Sequence, residues 1–238
     1  MKFYRNKDIE QITSIRLAEY QDKYGDIGVP PVPIELIIEN LFDLHIVWEE
    51  IGGIGTDSTF GALRKVNREI LINEHKKHLF DEKPGLLRFT FGHELGHWDL
   101  FVDKSTLDHP RFEGFDIVPH FSYRDTIKGK IEIIKEIISN PEYRQKYLEL
   151  QKHFDTPTVA SAVNRYSSAL LMPKALILKY CNSLDLKNWP NLYKMAEDFE
   201  VTISALTVRL QRLNMIYISN ENTIHASREE YYGQTSLF

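Results

Sequence analysis

Cysteine is almost absent from the sequence: Cys181 is the only one among 238 residues. An intramolecular disulfide is therefore excluded, and the composition favours a reducing compartment, the cytoplasm. No apolar run is long enough to span a bilayer, and residues 1–6 show no signal-peptide pattern. We therefore expect a cytoplasmic protein that has no membrane partner.

An excess of positive charge is also lacking. The chain has 29 Lys and Arg against 34 Asp and Glu, a formal net charge of -5. This balance argues against nucleic-acid binding through overall electrostatics, and leaves a local basic face as the open alternative. A composition of 42% hydrophobic and 26% charged residues is typical of a globular protein. Its length allows one main core and a small second unit.

The residues with chemical potential are concentrated at 91–98, which read FGHELGHW and contain the pattern His-Glu-x-x-His. On a helix, His93 and His97 lie one turn apart on one face, so both imidazoles can bind a single zinc ion. Glu94 lies one position further round and can act as a general base on water. The alternative is a surface helix with two unrelated histidines. The surrounding apolar residues favour a buried helix, in which a metal would satisfy the polar groups.

The segments before this motif predict helices followed by a small antiparallel sheet. The predicted elements are helices at 8–24 and 34–42 and strands at 45–48, 60–63 and 69–72. Asp8 is the predicted N-cap of the first helix, whose predicted buried stripe comprises Ile12, Ile15 and Ala18. An edge of the sheet is a candidate binding surface for an extended peptide backbone.

The segments after the motif predict a long loop and then more helices. Residues 103–125 show no periodicity, and a loop of this length is expected to border the cleft. Residues 127–154 predict an inserted helical hairpin, and residues 156–173 predict a further helix. The core stripe of that last helix is predicted to be Val159, Val163, Tyr166 and Leu170.

Two separated segments together resemble one family. Residues 88–98 (RFTFGHELGHW) and 164–173 (NRYSSALLMP) resemble the paired motifs of the ImmA/IrrE metallopeptidases, whose second motif reads approximately E-x-x-A-N-x-F-A-x-x-L-L-M-P. Residues 195–210 also resemble the usual ending of that family. The resemblance implies an α+β fold with a zincin-like peptidase domain, a zinc cofactor and a C-terminal helical unit. It also implies cleavage or inactivation of a DNA-binding repressor in mobile-element induction or a stress response.

The sequence departs from the family at the third metal ligand. Counted back from Pro173, the metal-binding glutamate falls on Ala160, and a further acidic position falls on Ala162. Neither methyl group can bind zinc. Asn164, one helical turn after Ala160, is a candidate for orienting a histidine by hydrogen bonding.

Three residues are candidate substitutes for the missing ligand. Asp103 follows His97 by six positions, a spacing used when a helix breaks at a glycine, although Leu100 occupies the glycine position here. His153 and Asp155 lie near the start of the later helix. His120 and Tyr123 are candidates for a transition-state hydrogen-bond donor from their residue types alone.

We predict three parts of the chain: a peptidase domain at 1–175, a helix-turn-helix-like unit at 176–217 and a polar C-terminal tail at 218–238. In the second part, Arg209 and Arg212 could contact phosphate, but neighbouring acidic residues offset them. Docking on the peptidase domain or on a repressor is therefore favoured over direct nucleic-acid binding.

The last five residues, Gln234 to Phe238, resemble the sliding-clamp-binding pentapeptide Q-L-[S/D]-L-F, with Thr235 in place of the first leucine. This peptide either binds a clamp or docks on its own domain. Two hypotheses for the whole chain remain open. It is a zinc metalloendopeptidase that inactivates a repressor, or a catalytically impaired relative that binds a repressor or the clamp.

Overall fold

The computed structural model describes residues 3–51, 59–104, 117–120, 157–182 and 184–233, with the backbone alone at 117–120 and 157–158. Helices and small sheets alternate irregularly along it, so the architecture is α+β as predicted. A main hydrophobic core joins the N-terminal helices, one face of the larger sheet and the C-terminal helices. No helix of the described residues is long and apolar enough to cross a membrane.

Helix α1 (Asn6–Tyr24) begins before the predicted position, and Asp8 lies inside its first turn rather than at the N-cap. There its carboxylate accepts a hydrogen bond of 2.9 Å from the backbone N–H of Arg5. The predicted buried stripe was wrong, since Ile15 is 46% exposed. A polar residue, Thr13, takes a core position because its hydroxyl donates to the carbonyl of Ile9 at 3.0 Å. The residues that are buried are Ile9, Thr13, Leu17 and Tyr20.

The predicted second helix is present as a short α-helix, α2 (Ile34–Leu36), that continues as a π-helical turn over Ile37–Leu41. It leads into the larger sheet. The strands of that sheet are β1 (His45–Glu49), β2 (Gly61–Arg64), β3 (Glu69–Asn73) and β4 (Ile117–His120). Their order is β1-β3-β2-β4.

The prediction of a wholly antiparallel sheet was wrong for β1, which pairs in parallel with β3. The hairpin turn at 65–68 makes β2 and β3 antiparallel, and β3 inserts between β1 and β2. The interval predicted as a loop at 103–125 contains β4, which pairs antiparallel with β2. Four residues including Pro119 give too weak a sequence signal, and proline is tolerated because β4 lies at the end of the described strand order.

The structural centre is a pair of long helices, α4 (Pro84–Phe101) and α5 (Pro157–Leu171), with the short α3 (Lys77–Glu82) preceding α4. The predicted core residues Val163, Tyr166 and Leu170 are fully buried, whereas Val159 is only half-buried. The burial of this stripe explains why the sequence predicted α5 well.

The C-terminal helices are α6 (Lys174–Cys181), α7 (Trp189–Asp198) and α8 (Ile203–Arg212). Between α7 and α8, the Thr202 hydroxyl accepts a hydrogen bond of 3.2 Å from Ala205 and caps α8. The turn packs on α4, because a Cβ added at Gly85 would lie 2.6 Å from the carbonyl carbon of Val201. The turn between α7 and α8 therefore contacts the helix that carries the histidines.

The segment predicted to be a polar tail is folded over much of its length. Strands β5 (Tyr217–Ile218) and β6 (Ile224–His225) form a hairpin, and helix α9 (Arg228–Tyr232) follows. Paired aromatic rings join the hairpin to this helix, including Tyr217 and Tyr231 with centroids 5.2 Å apart. The predicted hairpin at 127–154 and the clamp-like peptide at 234–238 lie outside the described residues.

Candidate active site

The two histidines of the motif meet at one point in the interior of the protein. His93 and His97 lie on α4 and are 6% and 3% exposed, and their Nε2 atoms are 3.1 Å apart. Two nitrogens that bind one tetrahedral zinc ion at about 2.0–2.1 Å would be roughly 3.3 Å apart. The same distance also permits one N–H···N hydrogen bond between the rings. The pair therefore fits two of the four positions around a zinc ion.

The other nitrogen of His93 is held by α5. Its Nδ1 lies 2.9 Å from the amide oxygen of Asn164, the residue that the sequence suggested for orienting a histidine. Because an amide oxygen only accepts hydrogen bonds, Nδ1 carries the proton and Nε2 presents a lone pair. This is the tautomer that a metal requires.

Glu94 is 1% exposed and lies against strand β2. A Cβ added at Gly61 of that strand would be 3.1 Å from Cγ and from Oε1 of Glu94, and 2.8 Å from a methyl of Thr90. Only glycine therefore allows the strand to approach the carboxylate so closely. Within the sheet, Gly61 pairs with His120 of β4, the candidate hydrogen-bond donor. The backbone of His120 therefore lies on the strand next to the one that packs on Glu94.

Close contact between α4 and α5 depends on two glycines of the motif. A Cβ at Gly92 would lie 2.5 Å from the Ser167 hydroxyl oxygen, and one at Gly96 would lie 3.2 Å from Cβ of Val163. The Ser167 hydroxyl also donates to the carbonyl of Phe89 at 2.9 Å. These contacts show that the two helices run antiparallel, and they bring Asn164 within reach of His93.

Ala160 occupies the position where the resemblance places a metal ligand. It is 2% exposed and precedes Asn164 by four residues, so both lie on the same face of α5. Because α5 is antiparallel to α4, the step from Asn164 to Ala160 runs in the direction from His93 to His97. A longer acidic side chain at this position would therefore point to the histidine pair, whereas the methyl group of alanine offers no ligand.

The described residues supply no complete metal-binding group. Among them, no cluster of three or more His, Cys, Asp or Glu side chains has a geometry that could hold an ion. Asp103 is exposed and lies two positions after the end of α4. His153, Asp155 and Tyr123 lie outside the described residues, so their roles stay predictions. The site therefore fits zinc in its two histidines and lacks a third ligand in the described part of the chain.

A buried charged residue that sequence reasoning missed supports the site. Asp99, whose side chain is 0% exposed, accepts two hydrogen bonds of 2.9 and 3.2 Å at Oδ1 from Arg16 of α1. It also accepts one of 3.0 Å from the hydroxyl of Tyr166 on α5. Burial, and next the negative charge of Asp99, raise the pKa of Tyr166 well above its usual value. The sequence did contain a signal for the role of Asp99, because it is an acidic residue in a largely apolar helix, two positions after His97.

No family model matches the chain, and no curated protein matches it. The resemblance to the ImmA/IrrE metallopeptidases therefore rests on the paired motifs in the sequence.

Proposed function

We propose that the chain is a zincin-like, zinc-dependent metalloendopeptidase that inactivates a DNA-binding repressor. The observation that carries the proposal is the convergence of the His93 and His97 Nε2 atoms, 3.1 Å apart, on a helix whose Glu94 carboxylate is also buried. The repressor as substrate, and a role in mobile-element induction or stress, come from the resemblance. The cytoplasm, where a repressor would be met, is the compartment we propose.

Each residue of the site has a distinct role in this proposal. His93 and His97 would hold the zinc ion, and Asn164 fixes the ring of His93 so that Nε2 is available. Zinc, when bound, would polarise the carbonyl of the peptide bond to be cleaved. Glu94 takes the proton from the attacking water and returns it to the leaving amine.

The larger sheet provides a place for the substrate. Strand β4 pairs with β2 on one side and has no neighbour on the other among the described strands. An extended segment of a repressor could add to this edge through main-chain hydrogen bonds, next to the strand that packs on Glu94. With only two histidines as described ligands, zinc would be held weakly, because catalytic zinc sites normally have three protein ligands.

A second candidate function is favoured by the buried alanine at position 160. In this alternative the chain is a catalytically impaired relative whose fold binds a protein partner. The partner would be a repressor, or the sliding clamp through Gln234 to Phe238. Helix α9 ends at Tyr232, and Gly233 caps it in the left-handed conformation (φ 65°) directly before this peptide.

A repressor-cleavage assay distinguishes the peptidase from the catalytically impaired relative. Purified helix-turn-helix repressors from the same organism would be incubated with the zinc-loaded chain, and products would be measured by mass spectrometry. We expect cleavage by the unaltered chain and a loss of about 10²–10⁴-fold in rate for Glu94→Gln, which removes the base but keeps the shape. Zinc affinity should be unchanged in that variant. Stable binding of a repressor without cleavage, equal in both proteins, would favour the impaired relative.

The clamp is tested separately by its retention on the immobilised chain. A variant with Leu237→Ala and Phe238→Ala removes both apolar side chains of the peptide. Retention by the unaltered chain and loss in this variant would support clamp binding. Equal or absent retention would exclude it.

A further inference from the structure

A concave site lies where three parts of the fold meet, and neither His93 nor His97 lines it. It is a cavity of about 130 Å³, formed by the first half of α1, the middle of α5 with the start of α6, and the end of α8. We call it the basic cavity. Its charged lining residues are Lys7, Glu10, Arg165, Lys174, Arg209 and Arg212.

The charge of the basic cavity contrasts with that of the chain. Five cations and one carboxylate line it, a formal excess of four positive charges, while the whole sequence has a net charge of -5. The carboxylate of Glu10 is already engaged by Arg209, whose guanidinium donates to both of its oxygens. The Nε of Arg209 donates to the carbonyl of Met172 at 3.0 Å. One of the five cations is therefore neutralised inside the protein, and the others are not neutralised by any described lining residue.

Arg165 forms part of the cavity wall and is held rigidly by neutral acceptors. Its Nε donates to the carbonyl of Ser161 at 3.1 Å, one Nη to the amide oxygen of Asn6 at 2.6 Å, and the other Nη to the carbonyl of Tyr4 at 2.9 Å. These bonds fix the guanidinium in place, and none of the three acceptors carries a charge that would compensate it. Partial burial lowers the pKa of Arg165.

Arg212 lies at the rim, together with Lys7 and Lys174, which are both exposed. Partial burial, and next the positive charges of Arg165 and Arg209, lower the pKa of Arg212. Two of the three rim cations are flexible lysines that can move onto a ligand, while the arginine presents a planar fork of donors. The basic cavity therefore combines a fixed positive charge in its wall, Arg165, with positive side chains at its rim that can move. This arrangement suits an anionic ligand.

We propose that the basic cavity binds a phosphate group, either inorganic phosphate or the terminal phosphate of a small metabolite, with Arg212 and Lys174 as its principal donors. The volume accommodates one such group, and the rest of a larger metabolite would extend over the rim. Tetrahedral oxyanions suit several N–H donors of an Arg and Lys cluster. The inference goes beyond the proposed peptidase function and does not depend on it.

The position of Arg209 argues against nucleic acid as the source of the phosphate. A helix-turn-helix unit reads duplex DNA with its second helix, here α8, lying in the major groove. Arg209 of α8 is 3% exposed and committed to Glu10 of α1, so this end of α8 faces the rest of the fold. Arg209 is therefore not placed to contact the phosphates of a duplex. The phosphate contact that we propose for Arg212 lies within the basic cavity and not along a duplex.

The test is a titration of the full chain with inorganic phosphate, pyrophosphate, a nucleoside diphosphate and a short DNA duplex by isothermal calorimetry at constant ionic strength. The variants are Arg212→Gln and Lys174→Gln, with Arg212→Lys as the conservative replacement. Lys77→Gln on α3 is the control, because it removes one positive charge from an exposed residue outside the cavity. Circular dichroism would verify that every variant is folded before titration.

We expect the unaltered chain and Lys77→Gln to bind phosphate equally. Affinity should fall roughly tenfold to a hundredfold in Arg212→Gln and Lys174→Gln, and should recover partly in Arg212→Lys. Tighter binding of the nucleoside diphosphate than of phosphate and pyrophosphate identifies a metabolite as the source, and the reverse order identifies the free ion. Absence of phosphate binding, or equal binding by the variants, would overturn the proposal. So would binding of duplex DNA alone that is lost in the same variants.

Discussion

The Nδ1 atom of His93 lies 2.9 Å from the amide oxygen of Asn164, a residue 71 positions further along the chain. This contact connects the two helices that carry the paired motifs and sets the protonation of the imidazole. Its existence depends on the close approach of α4 and α5 at Gly92 and Gly96. The histidine pair is therefore oriented by the packing of the fold as well as by the spacing within one helix.

Replacing Asn164 should weaken zinc binding without removing a ligand. In Asn164→Ala, we expect zinc affinity to fall about 10–100-fold, because His93 loses the acceptor that orients its ring. Asn164→Asp keeps an oxygen acceptor and should retain most of the affinity. Competition with a chromophoric zinc indicator measures both. Equal affinity in the alanine variant would show that the contact does not orient the ring.

Adding a carboxylate at the position of Ala160 should complete the site. We expect Ala160→Glu to bind zinc at least about tenfold more tightly than the unaltered chain, because a third ligand is supplied from the face of α5 that holds Asn164. Ala162→Glu is the matched control, since it places the same group at another buried position of the same helix. A gain in both variants, or in neither, would contradict the placement of Ala160 beside the histidines.

The glycine at position 92 should be required for stability. Gly92→Ala would normally stabilise a helix by about 1 kcal/mol. Here the new methyl would lie 2.5 Å from the Ser167 oxygen and 3.1 Å from its Cα, so we expect a net loss of about 1–3 kcal/mol in urea unfolding.

Adding Ser167→Ala to that variant removes the nearest atom and should restore part of the loss. The backbone contact would remain in the double variant. Full stability in Gly92→Ala alone would show that α4 and α5 are further apart than described.

The buried tyrosine at the Asp99 cluster should make stability depend on alkaline pH. The folded pKa of Tyr166 is raised, so its contribution is fully present below the unfolded pKa of about 10 and is lost as pH rises from there toward the folded value. We expect the free energy of unfolding to fall more steeply above about pH 10 in the unaltered chain than in Tyr166→Phe. Identical slopes would show that Tyr166 does not titrate differently on folding.

The helices were predictable from sequence to the extent that each shows its own periodicity. The apolar stripe of α5, with Tyr166 and Leu170, marks a buried face directly. In α1, the apolar pattern did not predict the buried face correctly. Thr13 is buried there because its hydroxyl donates a hydrogen bond to the carbonyl of Ile9, and a pattern of apolar residues does not include a threonine. The short β4 was missed for a related reason, since a strand of four residues is stabilised by its neighbour and not by its own pattern.

Long-range relationships were less accessible from the sequence. The parallel pairing of β1 with β3 depends on where the β2–β3 hairpin inserts. The role of Arg209 depends on Glu10, which is 199 positions away. The histidine pair was visible because both residues lie within about one turn of one helix. A basic cavity formed by three elements that are distant in sequence was not visible.

Zinc binding by the unaltered chain tests the central claim most directly. Equilibrium dialysis against buffered zinc, followed by metal analysis, would be done on the unaltered chain and on His97→Ala, with circular dichroism to verify folding. We predict about one zinc ion per chain at saturation, with a weak affinity, and no specific binding in His97→Ala. Equal zinc content in the two proteins, or none in the unaltered chain, would contradict a metal site at the histidine pair.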